Sequence, residues 1–146
     1  MSNSEISSEL ICIGYVDGAC RHTQNISSAT WVIYSPLGQI LSSGGSCLGL
    51  ATNNLVEYSA MIELLTDSIG HGIDHLIAKL DSRLVVSQLN GLYVIHNSMI
   101  LRNFLRVKLL ERRIQFITYC HIPRKFNHIS NAHENYVLDG HIRHNH

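Results

Sequence analysis

Three carboxylates stand out by their surroundings. Tyr15-Val16-Asp17-Gly18 and Ala78-Lys79-Leu80-Asp81-Ser82 each place an aspartate where an apolar, strand-like run ends. Glu57 sits one turn into a helical pattern that begins near Asn53. A carboxylate at the end of a buried strand is costly unless something cationic shares it. If the two strands lie side by side and parallel, Asp17 and Asp81 converge at one end of a sheet, and Glu57 points back at the same spot. Three carboxylates in one place repel, and a divalent metal resolves the repulsion. Oxygen-only ligands suit Mg²⁺ or Mn²⁺ better than zinc. Two such ions about 4 Å apart clamp a phosphodiester for attack by water. Taken singly, a strand-end Asp also reads as a cap or turn residue, and Glu57 as a solvated helix residue; it is the combination that points to metal-dependent hydrolysis.

The elements that must position these groups follow from periodicity. Leu10 to Val16 is nearly continuously apolar, as in a central strand covered on both faces. Ala29 to Tyr34 reads as a second strand, Ser35-Pro36-Leu37-Gly38 as a turn, and Gln39 to Ser46 as the returning strand. Leu55, Tyr58, Ile62, Leu65 and Ile69 form a helical stripe, with Thr52 or Asn53 as N-cap and Gly70 or Gly72 as stop. His75 to Leu80 reads as a buried strand, and Ser82 to Leu89 as a short helix stopped by Asn90-Gly91. Ser98 to Arg113 is expected to be an amphipathic helix with Leu101, Leu105 and Leu109 inward and Arg102, Arg106 and Arg113 outward. Ile114 to His121 completes the strands, and Asn127 to Leu138 is a last helix. The expected order, β-β-β-α-β-α-α-β-α, describes a mixed sheet with a meander first and crossover helices later.

Composition narrows the class. The 146 residues are the size of one domain, and 45% apolar content suffices for a core. Eleven basic and eleven acidic residues cancel, which excludes a basic nucleic-acid tail or an acidic low-complexity chain. The cancellation hides a separation: residues 102–125 carry net +6, leaving −6 for the rest. The start of the chain is polar and acidic, without the pattern of a secretory signal, and no run is long enough to span a membrane. Cys12, Cys20, Cys47 and Cys120 form no C-x-x-C pair and show no zinc-finger spacing. An intracellular protein, cytoplasmic or nuclear and not secreted, is expected.

The strings Tyr15-Val16-Asp17-Gly18-Ala19-Cys20, Thr52-Asn53-Asn54-Leu55-Val56-Glu57-Tyr58 and Leu80-Asp81-Ser82-Arg83-Leu84-Val85-Val86-Ser87-Gln88 resemble type 1 ribonuclease H. His121-Ile122-Pro123-Arg124, Asn127 and Asn135 continue the likeness, which covers roughly residues 10 to 138. It is greatest to archaeal-type enzymes and to the ribonuclease H domains of plant retroelement polyproteins. The resemblance implies an α/β ribonuclease H-like fold, a five-stranded mixed sheet (antiparallel meander, then parallel strands) with helices on both faces. It also implies an endonuclease that cuts the RNA strand of RNA–DNA hybrids, with four carboxylates holding two Mg²⁺ (or Mn²⁺) ions. Asp17, Glu57 and Asp81 match the first three. The fourth position falls on Asn131, which keeps one carbonyl oxygen but loses the negative charge. Weaker metal binding and slower turnover are expected from it.

The same resemblance gives the substrate contacts. Backbone amides of Gly18, Ala19 and Cys20, with Asn53 and Asn54, would meet RNA 2′-hydroxyls in the minor groove. Thr52 takes a position associated with a DNA phosphate, and Arg83 stands where many members have Gln. The family's loop after the first Asp is usually rich in Gly and Pro; here it is expected at Arg21 to Ser28 and is neither. His121, ten residues before Asn131, has the spacing of a proton-shuttling His, and also reads as the polar end of a strand. Arg102, Arg106, Arg113 and Arg124 suit a phosphate-binding face, or for any single Arg a solvated surface.

Two readings of function result. One is a hybrid-specific endonuclease impaired at Asn131; the other is an inactive ribonuclease H-like module that binds hybrid or duplex, or tethers a reverse transcriptase. The expected organisation is a disordered segment 1–9, the domain over 10–140 and a His-rich tail 141–146. The chain is expected to be a monomer or part of a larger polyprotein, with no membrane partner and no small-molecule cofactor.

Overall fold

A computed structural model describes residues 10–21, 26–49 and 51–127. The segment 1–9, the helix expected from Asn127 to Leu138 (its first residue apart), Asn131 and the tail 141–146 lie outside them. The elements are β1 (Cys12–Arg21), β2 (Ile26–Tyr34), β3 (Ile40–Leu48), α1 (Asn53–Gly70), β4 (His75–Leu80), α2 (Arg83–Leu89), α3 (Ser98–Glu111), β5 (Phe116–His121) and a 3-10 turn over Arg124–Phe126. One sheet has the order β3-β2-β1-β4-β5. β1, β2 and β3 pair antiparallel, while β4 is parallel to both β1 and β5. This is the expected mixed sheet of meander and crossovers.

β1 runs further than its apolar pattern suggests. It continues past Asp17 to Arg21 because its antiparallel ladder with β2 extends to Arg21↔Ile26. Its parallel ladder with β4 stops at Tyr15↔Lys79. Asp17 is therefore mid-strand, at the point where β1 loses one neighbour and keeps the other. Ser27 and Ser28 correspondingly belong to β2, not to the preceding loop.

α1 is capped as its sequence predicts, with the Thr52 hydroxyl accepting the Leu55 N–H at 3.3 Å. The helix ends through His71, and Gly72 follows with φ +68°, a conformation glycine adopts without steric cost. Tyr58, Ile62 and Leu65 are buried as expected, and Val56, Ala60, Met61 and Leu64 are buried with them. The buried arc is wide because α1 packs against β1 and β2 on one side and α3 on another. The contact with β1 is close: a Cβ on Gly18 would fall 2.6 Å from Val56 Cγ1, and one on Gly14 2.8 Å from Leu64 Cδ2. Small residues there let the Glu57 helix lie directly on the Asp17 strand.

α3 corrects the sequence reading. Its buried residues are Ile100 and Val107, with Phe104 and Leu110 packed partly against the core. Leu101, Leu105 and Leu109 are 39%, 52% and 61% exposed, beside the exposed Arg102 and Arg106 instead of opposite them. The helix ends at Glu111, so Arg113 follows it in the turn, and Ile114 is buried ahead of β5 rather than in it. Lys108 fastens this end. Its ammonium donates to Leu89 O at 2.7 Å and pairs with Glu111 at 3.3 Å, which in turn accepts the Tyr119 hydroxyl. No helix among the described residues is long and apolar enough to cross a membrane.

Candidate active site

The end of the β1/β4 ladder builds the site. Two residues beyond the last pair come Asp17, still on β1, and Asp81, just past the end of β4. α1, pressed onto β1 at Gly18, delivers Glu57 to the same place. One carboxylate oxygen from each of the three lies within 4.8 Å of the other two. Asp17 is 0% and Glu57 4% exposed. The sequence thus located a cluster whose members lie 24 to 64 positions apart.

Both aspartates have local supports. Asp17 Oδ1 accepts the Gly18 N–H at 2.8 Å. Asp81 leads into α2, where the Ser82 hydroxyl caps the helix by accepting the Val85 N–H at 3.2 Å. Asn127, buried at 1% exposure, donates from Nδ2 to Val16 O at 3.2 Å and to Asp81 Oδ2 at 3.5 Å. Arg124 approaches Asp81 Oδ2 at 4.0 Å, but its 64% exposed side chain makes this a weak, solvent-screened pair.

One cation at that distance does not neutralise three acids. Burial, and next the charge of Asp81, push the Asp17 carboxyl up to about 7, against the pull of the Gly18 N–H and Arg124. Burial, then Asp81 and Asp17, push Glu57 up to about 9. Asp17 Oδ2 and Glu57 Oε2 are buried with no hydrogen-bond partner. Buried, unpartnered carboxylate oxygens around one point are the donor set of a hard divalent cation, and with no nitrogen or sulfur among the three they do not suit zinc.

A cleft of about 250 Å³ opens onto the cluster, lined by Gly18, Asn53, Asn54, Glu57, Asp81, Ser82 and Arg124. Four residues singled out for substrate or phosphate contact, Gly18, Asn53, Asn54 and Arg124, therefore share its wall. Thr52 lies one residue before Asn53 with its hydroxyl oxygen already engaged in the cap, and Arg83 is exposed on the first turn of α2. The β1 backbone at Ala19 and Cys20 pairs with Ser28 and Ser27. His121 ends β5 opposite Leu80, one strand from Asp81. Arg102, Arg106 and Arg113 are exposed and do not line the cleft. A larger, more apolar hollow at the other end of the sheet is lined by Leu10, Cys12, Ile73, His75 and Phe116. The ionisable cluster lies at the opposite end from this hollow, where the β1/β4 ladder gives out, and perturbed ionisable groups in a cleft make that end the candidate site.

Sequence reasoning used Asn127 only as part of a motif. Its burial and its bond to Asp81 carry no one-dimensional signal, because an Asn after a turn is ordinarily a surface residue.

A model of the reverse transcriptase-like family matches residues 15–135, which include all three carboxylates. The chain belongs to this family, in its type 1 ribonuclease H group. Ribonuclease HI of Halobacterium salinarum is 34% identical over 125 residues, 86% of this chain and 63% of the relative. The chain thus spans under two thirds of that relative's length. The crystal structure of RNase H1 from the same archaeon matches with a TM-score of 0.83 at 32% identity, over 89% of this chain and 98% of the other. LC11-RNase H1, solved in complex with an RNA/DNA hybrid, gives 0.82 at 26% identity over 90% and 99%. The N-terminal ribonuclease H domain of a Mycobacterium tuberculosis protein gives 0.86 at 23% identity over 94% and 99%, a likeness of fold. Within the matched residues, β1 carries Asp17, α1 carries Glu57, and Asp81 directly follows β4.

Proposed function

We propose that the chain is an endonuclease hydrolysing the RNA strand of RNA–DNA hybrids, as a monomer or within a larger polyprotein. The observation that carries this is the convergence of Asp17, Glu57 and Asp81 within 4.8 Å, with two buried oxygens lacking partners, in a ribonuclease H-type chain. These three residues, with Asn131 as the fourth ligand, would hold two Mg²⁺ or Mn²⁺ ions. When bound, such ions supply a nucleophilic water and neutralise charge on the phosphate.

The rest is the work of the chain's own groups. The cleft wall of Gly18, Asn53 and Asn54, continued by the amides of Ala19 and Cys20, reads 2′-hydroxyls and so selects the RNA strand. Thr52 accepts the Leu55 N–H yet keeps its own proton, free to donate to a DNA phosphate. Arg83 offers donors beside the same groove. Arg124 binds phosphate next to Asp81, and His121 moves protons at the rim. Arg102, Arg106 and Arg113 add an outer phosphate-binding surface, which makes binding salt-sensitive.

Asn131 favours a second reading, the inactive binding or tethering module, because a neutral fourth ligand weakens the hold on metal. The experiment that tests the endonuclease reading offers a labelled hybrid, RNA duplex and DNA duplex of one sequence in Mg²⁺. Cleavage confined to the RNA of the hybrid supports it. Uncut hybrid overturns it, and hybrid that is bound but uncut favours the second reading.

A further inference from the structure

The parallel ladder that holds β1 beside β4 gives out at Tyr15↔Lys79, two residues before the carboxylates it must align. From there no backbone pairing between these strands sets the distance from Asp17 to Asp81, and the two acids repel. Among the described residues, the Asn127 side chain spans the gap. Asn127 emerges from the 3-10 turn, held by its own N–H to Arg124 O at 3.0 Å. A carboxamide NH₂ has two hydrogens, so Nδ2 can serve Val16 O on β1 and Asp81 Oδ2 past β4 together, the second being the longer bond.

We infer that Asn127 is a positioning residue that replaces the missing ladder and fixes the spacing of Asp17 and Asp81 for cation binding. The inference rests on the metal-dependent reading above and adds a residue that touches neither metal nor substrate. The residue type is constrained. Asp would add a fourth negative charge and remove both donor hydrogens. Leu would keep the volume and remove both Nδ2 bonds. Gln would carry the donor one methylene too far. Groups orienting a metal ligand in this way commonly change metal affinity by about 10–100-fold when removed.

The test is calorimetric titration of Mg²⁺ into the metal-free protein, its Asn127→Ala and Asn127→Leu variants, and each in an Asp81→Asn background, with near-UV circular dichroism as the check on folding. The expected result is Mg²⁺ binding about 10–100-fold weaker for both variants, with the native spectrum retained. In the Asp81→Asn background, Asn127→Ala should alter affinity less than about twofold, since Asn127 acts through Asp81. If Asn127→Ala does not fold, Asn127→Gln carries the same comparison. Unchanged affinity in a folded variant overturns the inference, as does an equal loss in both backgrounds, which would make Asn127 merely structural. Absence of Mg²⁺ binding by the unsubstituted chain overturns both the inference and the endonuclease reading.

Discussion

The phenol of Tyr58 donates to Gln88 Oε1 at 2.8 Å, and both side chains are buried. Tyr58 follows Glu57 on α1, and Gln88 lies on the helix that Asp81 introduces. The bond therefore ties the helix that carries Glu57 to the helix that follows Asp81. Tyr58→Phe leaves a buried amide oxygen without its donor, which costs about 1–3 kcal/mol. Urea unfolding should show that loss, with a smaller drop in Mg²⁺ affinity. An unchanged midpoint would remove the tie from the account.

Acid pairing makes the metal-free protein pH-sensitive. Burial and mutual repulsion hold Asp17 near 7 and Glu57 near 9 in the fold, above their values in an unfolded chain. A raised carboxyl favours folding while it is protonated, so its contribution is complete below about pH 4 and fades as pH climbs through the folded value. In EDTA, Tm should fall between pH 5 and pH 9. Mg²⁺ should raise Tm more at pH 9 than at pH 6, because binding at the lower pH must first displace protons. A flat or rising Tm in EDTA across that window would contradict the geometry.

The close approach at Gly18 gives a steric prediction. Gly18→Ala forces a methyl to within 2.6 Å of Val56 Cγ1, an overpacking that costs about 1–3 kcal/mol and pushes Glu57 away from Asp17. Val56→Ala in the same chain makes room, so the double variant should recover much of the Mg²⁺ affinity lost in Gly18→Ala. Additive losses would show that the contact does not set the Glu57 position.

α3 separates exposure from hydrophobicity. Leu105→Lys, at a 52% exposed position, should change stability by no more than about 0.5 kcal/mol. Val107→Ala, at a fully buried one, should cost about 2 kcal/mol. The reverse order in thermal melts would restore the leucine stripe to the core.

That helix also shows where one-dimensional reading fails. In Ser98–Glu111 the stripe of Leu101, Leu105 and Leu109 and that of Ile100, Phe104 and Val107 are both helical, one residue apart. Periodicity gives the helix but not which stripe meets α1; packing decides that. Asp17 fails differently: it reads as a strand end because the charge interrupts the apolar run, while the pairing with β2 continues to Arg21. The carboxylate cluster was legible because each acid sits beside a local signal: an apolar strand for Asp17 and Asp81, a cap and stripe for Glu57. Asn127 had no such signal, since its partners lie 46 and 111 positions away.

The most direct measurement is the cleavage rate of one RNA–DNA hybrid, in Mg²⁺ and in Mn²⁺, by this chain, by Asn131→Asp and by Asp81→Asn. With Asn131 as the proposed fourth ligand, a charge restored there should be worth several kcal/mol at the transition state, so Asn131→Asp should cut at least about a hundredfold faster than the unsubstituted chain. Asp81→Asn should cut neither in Mg²⁺ nor in Mn²⁺. Cleavage by Asn131→Asp alone would make the parent a binding module, and no cleavage by either would contradict the account at its centre.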